Sequence, residues 1–86
     1  MVIKRAPGVL TADFPQAKVV FNTATRMPYI LNGTASEIWD LCKKPRCAKG
    51  LARYLRDRYG VNAAEAKEDI DRLINELKER GLLKLR

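Results

Sequence analysis

The chain contains 86 residues, of which 47% are hydrophobic and 31% charged, so we expect one globular domain spanning residues 1–86. A domain of this size has little room for a deep active site, and the absence of histidine removes the commonest general base and metal ligand. Lysine and arginine number 17 against 10 aspartates and glutamates, and the resulting net charge of +7 suggests either a polyanionic partner or simply a soluble basic protein.

The N-terminal third of the sequence predicts three short strands. Residues 1–8 have no clear pattern and are expected to be irregular. A weak strand is predicted at 9–13, and a stronger one at 18–22, where β-branched and aromatic residues cluster. A third strand is predicted at 27–31. Because Pro28 cannot donate a ladder hydrogen bond, this third strand is expected at the edge of an antiparallel sheet.

A first helix is predicted after the third strand. The side chain of Asn32 or Thr34 can accept hydrogen bonds from the free amides of a first helical turn. Pro45 is expected to stop the helix. The apolar positions of this segment follow the spacing i, i+3, i+4, i+7. They are Ala35, Ile38, Trp39 and Cys42.

Two further amphipathic helices are predicted. The second should end at Gly60, and its apolar stripe is Ala48, Leu51, Ala52, Leu55 and Tyr59. The third should begin after Asn62, with Glu65 at the capping-box position. Gly81 should end it, so that Leu82 and Leu83 fold back onto the helix. The stripe of the third helix is Ala63, Ala66, Ile70, Leu73, Ile74 and Leu77.

These elements predict an α+β fold in which an N-terminal three-stranded antiparallel sheet is followed by three α-helices. Neither the small sheet nor the short helices can bury an apolar face alone, so they should pack around one core. The order resembles a winged helix-turn-helix with the wing at the N-terminus. We expect Trp39 to be buried in that core, among Ile38, Leu55, Leu73 and Leu77.

The sequence contains few residues in arrangements suited to catalysis or metal binding. It therefore predicts a protein that is not an enzyme. Cys42 and Cys47 have no further cysteine or histidine to complete a zinc site, so Cys42 is expected in the core and Cys47 at the start of the second helix. Ser36 lacks a base, and the glycines are too isolated for a phosphate loop. No catalytic residue, metal or cofactor is therefore expected. With no membrane-length apolar run or signal peptide, we expect a cytoplasmic protein with no membrane partner.

Three stretches of the sequence, in the predicted third strand and the three predicted helices, carry motifs that are informative when taken together and in order. They read Y-I-L-N-G-T-A-S-E-I-W-D-L-C from Tyr29, L-A-R-Y-L-R-D-R-Y-G-V from Leu51 and A-K-E-D-I-D-R-L-I-N-E-L-K-E-R-G-L-L from Ala66. This set resembles the PqqD family, named for coenzyme PQQ synthesis protein D. The positions that match its pattern are Leu31, Asn32, Thr34, Ala35, Ile38, Tyr59, Asp69, Leu77, Gly81, Leu82 and Leu83. Gly33 departs from the pattern, since a larger polar residue is common there, and the loop at 22–27 lacks the usual glycine.

The resemblance implies a recognition element for ribosomally made, post-translationally modified peptides. Such domains bind the leader segment of a precursor peptide and present it to a modifying enzyme, either of the radical S-adenosylmethionine (SAM) type or a lasso-type protease. The family's leader adds as a strand to the third strand, in a groove against the third helix, a mode that suits an edge strand. The implied peptide-binding residues on the strand are Met27, Pro28, Tyr29, Ile30 and Leu31.

The third predicted helix has two borders, one on each side of its apolar stripe, because successive helical positions turn by about 100°. One border carries Asp69, Leu73, Glu76 and Arg80, and the other carries Lys67, Asp71 and Lys78. We assign the first border to the peptide site, since Asp69 matches the family's aspartate on the third helix.

The alternative function is that of a winged-helix nucleic-acid-binding regulator. Basic residues are concentrated at 43–58, which is either a solvated helix face or a contact for phosphates or an acidic protein. However, the helix that would read DNA carries Glu65, Glu68, Asp69 and Asp71 in its N-terminal half, and these carboxylates would repel phosphates. Peptide binding is therefore preferred to nucleic-acid binding. A monomer is expected, with a strand-swapped dimer as the alternative.

Overall fold

The structure, a computed structural model, describes residues 2–31 and 33–85. It is an α+β fold in which four strands precede the first of three helices, and two short strands follow later in the chain. The elements in chain order are β1 (Val2–Arg5), β2 (Val9–Phe14), β3 (Ala17–Asn22), β4 (Met27–Leu31), α1 (Gly33–Leu41), β5 (Arg46–Cys47), α2 (Ala48–Tyr59), α3 (Ala63–Glu79) and β6 (Leu83–Leu85). The predicted three-stranded antiparallel sheet followed by three helices is confirmed, while the winged-helix comparison stays a prediction.

The predicted sheet is formed by β2, β3 and β4 in that order. All pairs are antiparallel, with Leu10 opposite Phe21 and Phe21 opposite Pro28. The third predicted strand has the expected bounds, and it lies at one edge of this sheet, as the proline at its second position requires.

A second sheet was not predicted, and the expectation of an irregular segment at 1–8 is wrong. Strand β1 lies between β5 and β6, and Ile3 pairs with Arg46 on one side and Leu85 on the other. No local pattern predicts this pairing, because β1 is short and its partners are far away along the chain. Burial of Ile3, which is 1% exposed, anchors the strand to the core.

The helix ends follow the predicted caps in α2 and α3. Asn62 Oδ1 accepts a hydrogen bond from the Glu65 amide at 2.8 Å, and Cys47 Sγ accepts one from the Gly50 amide at 3.3 Å. Gly60 has a left-handed backbone, with φ of +70°. For α1 the predicted cap was Asn32 or Thr34. Thr34 lies inside the helix and Asn32 lies outside the described residues, so this cap stays a prediction. The helix also ends at Leu41, before Pro45.

The end of α3 is a Schellman motif. The Leu82 amide donates to the Leu77 carbonyl at 2.9 Å and the Gly81 amide to the Lys78 carbonyl at 3.0 Å. Gly81 has φ of +73°, a conformation that residues with a side chain rarely adopt. The predicted fold-back is thus correct, and it continues as β6, which pairs with β1.

Trp39 is fully buried in the core, as predicted. Its indole Nε1 donates to Thr11 Oγ1 at 3.0 Å, and the Arg5 guanidinium lies 4.3 Å from the ring centroid. An Arg5 Nη2 also donates to the Trp39 carbonyl at 2.7 Å. Trp39 therefore joins α1 to both sheets, whereas the sequence pattern had suggested contacts with the helices alone. The core combines residues from the two sheets and from all three helices.

Candidate functional site

Strand β4 has one open edge. Within the described residues it pairs only with β3, through registers such as Val19 opposite Ile30 and Val20 opposite Tyr29. The backbone groups that point away from β3 are therefore available to an added strand. Ile30 is 72% exposed, and no described segment covers it.

The outer face of the same sheet is apolar throughout. Residues opposite one another in an antiparallel sheet share a face, and alternate residues along a strand share it too. This outer sheet face therefore consists of Leu10, Ala12 and Phe14 on β2, Ala17, Val19 and Phe21 on β3, and Pro28 and Ile30 on β4. Two of its large side chains on β2 are well exposed, at 61% for Leu10 and 58% for Phe14, whereas Phe21 on the central strand is partly buried. Such a face is typical of a surface that another molecule covers.

One border of α3 faces the region where β4 leads into α1. Leu73 lies between two carboxylates of this border, Asp69 and Glu76, and all three line one pocket of about 320 Å³. Arg72 of α3 lines the same pocket, and Thr34 and Ala35 of α1 line it from the other helix. We call this the α1–α3 pocket. It combines a half-buried apolar side chain, Leu73, with three charged side chains.

Arg80 connects this border of α3 to β4. Its guanidinium lies 4.6 Å from the centroid of the Tyr29 ring, and one Nη lies 3.1 Å from a Glu76 carboxylate oxygen. Tyr29 shares the inner face of the sheet with the buried Leu31. The stacked pair therefore links the edge strand to the end of α3.

The carboxylates of this border are paired with arginines along α3 and at its C-terminal cap. Asp69 lies 3.5 Å from Arg72, and Glu76 pairs with Arg80. These exposed pairs contribute little to stability, so a ligand can exchange one partner at small cost. The border can accordingly meet either an anionic or a cationic group of a ligand.

The structure thus brings together most of the residues singled out in the sequence. Asp69, Leu73 and Glu76 line the α1–α3 pocket, and Arg80 contacts the edge strand through Tyr29. The other border of α3, which we did not assign to the peptide site, does not line this pocket. Its residues Lys67 and Asp71 line a different groove, against α2. That these residues bind a peptide remains a prediction.

Sequence reasoning missed several residues at the site. Thr34 and Ala35 were assigned to a helix start rather than to a pocket wall, although both matched the family pattern. Asn22 was also missed. It is 5% exposed, its Nδ2 donates to the Gly81 carbonyl at 2.9 Å, and its Oδ1 accepts from the Ala24 amide at 2.8 Å. This asparagine ties the β3–β4 hairpin to the end of α3, and a polar residue at an inward-facing strand position was the available signal.

The cysteines occupy the predicted positions. Cys42 is buried, and this burial raises the pKa of its thiol, whereas Cys47 is exposed at the cap of α2. Within residues 2–31 and 33–85, no cluster of three metal-ligating side chains occurs. The described helices also include none with the length and apolar character needed to cross a membrane.

Comparisons with known proteins place the chain in a family. Its structure is similar to that described as "Lasso peptide synthetase B1 complexed with the leader peptide", with 24% identity, 96% of this chain and 98% of the other covered, and a TM-score of 0.85. It is also similar to "TbiB1 in Complex with the TbiA(beta) Leader Peptide", with 19% identity, 96% of each chain covered and a TM-score of 0.89. No curated protein matches. Residues 17–83 match the model of the family Coenzyme PQQ synthesis protein D (PqqD), and the chain therefore belongs to the PqqD family.

Proposed function

We propose that this protein binds the leader segment of a ribosomally synthesised precursor peptide and presents it to a modifying enzyme, of the radical SAM type or a lasso-type protease. The observation that carries the proposal is the open edge of β4 beside the predicted border of α3. Membership of the PqqD family supports it, as do two proteins of similar fold whose descriptions name a bound leader peptide. In this role the protein contributes recognition, and catalysis belongs to the enzyme.

The backbone of β4 suits strand addition. Proline is accommodated at a sheet edge when its nitrogen faces away from the neighbouring strand. The backbone groups of residues two apart point the same way, so the amide and carbonyl of Ile30 share the direction of the Pro28 nitrogen. A leader strand would therefore pair with Ile30 through both groups and with the carbonyl of Pro28. Main-chain hydrogen bonds of this kind supply affinity that depends little on peptide sequence.

Side chains of the added strand would supply the specificity. Alternate residues of the leader would extend the outer sheet face beside Ile30, and the others would point towards α3. An apolar residue of the second set would meet Leu73, with polar or charged neighbours near Asp69, Glu76 and Arg80. We therefore propose Met27, Pro28, Tyr29, Ile30, Leu31, Asp69, Leu73, Glu76 and Arg80 as the peptide-binding residues.

The test is a binding measurement with a synthetic peptide that corresponds to the leader segment of the cognate precursor. Ile30→Pro removes the amide that the added strand needs and should weaken binding at least about tenfold, equal to ~1.4 kcal/mol. Asp69→Arg should also weaken binding, because it reverses a charge at the pocket rim. The matched control is Lys49→Glu, an exposed charge reversal in α2 that should change the affinity little.

Two controls make the result decisive. Helical circular dichroism and the fluorescence of Trp39 should be the same in every variant, which separates lost binding from lost folding. Amide chemical shifts measured on titration should move along residues 27–31 and in the border of α3. If the shifts cluster around Lys49 and Arg53 and spare the edge strand, the proposed site is wrong.

A further inference from the structure

A second groove lies on the opposite side of α3, where this helix packs against α2. It has a volume of about 310 Å³ and is formed by Ala48, Lys49, Ala52, Arg53 and Arg56 of α2 with Ala63, Lys67, Ile70 and Asp71 of α3. We call it the α2–α3 groove. Since Lys67 and Asp71 belong to the other border of α3, it is separate from the α1–α3 pocket.

The α2–α3 groove has an apolar floor and a basic rim. Ile70 is buried in the core, and Ala48 and Ala52 pack against it, so small side chains leave space above the core. The rim is exposed and consists of four cations and one carboxylate, namely Lys49, Arg53, Arg56, Lys67 and Asp71. A bound segment would thus find an apolar contact in the centre and positive charge around it.

Folding does not account for this concentration of positive charge. In the part of the chain that the structure describes, Lys49, Arg53 and Arg56 form no ion pair, and only Lys67 reaches a carboxylate, at 3.6 Å from Asp71. Lys49 lies in the first turn of α2, where the helix dipole disfavours a cation. That turn contains no acidic residue to offset it. Because Lys49 destabilises its own helix, its position is better explained by contact with an external partner.

We propose that the α2–α3 groove docks an acidic segment of a partner protein. An apolar side chain of that segment would rest on Ala52 and Ile70, and flanking carboxylates would lie beside Lys49 and Arg53. Complementary charge of this kind speeds encounter and fixes the orientation of a complex. The inference goes beyond leader binding and does not depend on it.

The composition of the groove favours a protein segment over a nucleic acid. Phosphate recognition is dominated by cations and gains nothing from an alanine floor, and Asp71 would oppose a phosphate. An apolar anchor ringed by charges is the usual anatomy of a protein interface. Because α3 separates the two sites, a partner in the α2–α3 groove would leave β4 free for its own ligand.

The test uses the full chain and a fluorescein-labelled synthetic peptide of about 18 residues, roughly five helical turns, in which glutamates flank leucines spaced at i and i+4. Fluorescence anisotropy would give the Kd at about 150 mM ionic strength, where only charges within ~8 Å still interact strongly. Arg53→Glu should raise the Kd about tenfold or more. The matched control, Lys84→Glu on the exposed face of β6, should change it less than about twofold.

Two further probes decide between the alternatives. A peptide with serine in place of every leucine keeps the charge and loses the anchor, and it should bind at least about tenfold more weakly. Equal binding of both peptides, or no binding of either, would overturn the proposal. So would equal losses in Arg53→Glu and Lys84→Glu, or tighter binding of a duplex DNA that Arg53→Glu abolishes. Circular dichroism of each variant would confirm that the fold is kept.

Discussion

Replacing Trp39 with alanine removes the side chain that joins α1 to both sheets. The indole is completely buried, donates a hydrogen bond to Thr11 and lies under the Arg5 guanidinium. Large-to-small changes of an aromatic core residue cost about 3–5 kcal/mol, from lost transfer energy and the cavity left behind. The Arg5 side chain also loses its stacking partner.

That cost is large for a chain of this length. At roughly 0.05–0.15 kcal/mol per residue, the 86 residues have a free energy of unfolding of about 4–13 kcal/mol. Since 1 kcal/mol shifts the Tm of such a domain by roughly 4–8 °C, Trp39→Ala should lower the Tm by at least about 12 °C. Thermal unfolding followed by circular dichroism at 222 nm, a helix signal, measures the shift.

A second variant separates the hydrogen bond from the packing. Trp39→Phe keeps an aromatic ring in the core but loses the hydrogen bond to Thr11 and part of the buried volume. The lost hydrogen bond should cost about 1 kcal/mol in addition to the cost of the smaller volume. Thr11→Val should be destabilising alone and nearly neutral in the Trp39→Phe background, as a double-mutant cycle would show. An unchanged Tm for Trp39→Ala, or additive effects of Thr11→Val and Trp39→Phe, would refute this account of the core.

Three other predictions concern the thiols, the end of α3 and nucleic acid. Cys47 should react with a thiol reagent in the native protein, whereas Cys42, with a pKa raised by burial, should react only on unfolding; equal rates would contradict its placement. Gly81→Ala should lower the urea midpoint more than Gly60→Ala, because both glycines have positive φ but only at Gly81 would a Cβ lie 2.9 Å from Asn22. Any binding of duplex DNA should fade steeply between about 50 and 200 mM salt and show no sequence preference, whereas nanomolar selectivity at physiological salt would argue against the peptide role.

Local signals explain which parts of the fold were predictable. The bounds of β4 and the caps at Asn62 and Gly60 depend on neighbouring residues, and each was predicted correctly. Strands β1 and β6 were missed because Ile3 pairs with Leu85, almost the whole chain away. No pattern within a few residues carries that information.

The candidate site likewise combines features that neighbouring residues predict with features that depend on distant parts of the chain. Helical geometry alone groups Asp69, Leu73 and Glu76 on one border of α3, and the structure brings them to one pocket. The hydrogen bond from Asn22 to Gly81, which holds the hairpin against α3, spans 59 residues and depends on the packed fold.

Pro28 affects which strands can pair stably with the open edge of β4. An open edge beside the apolar outer sheet face would also pair with its own copy, the usual hazard of an uncovered strand. Two copies joined symmetrically through this edge would both lack the proline amide and so lose two hydrogen bonds, at about 0.5–1.5 kcal/mol each. A foreign peptide brings a full set of donors and loses only one. Pro28 therefore weakens pairing between two copies of this chain more than it weakens pairing with a foreign peptide.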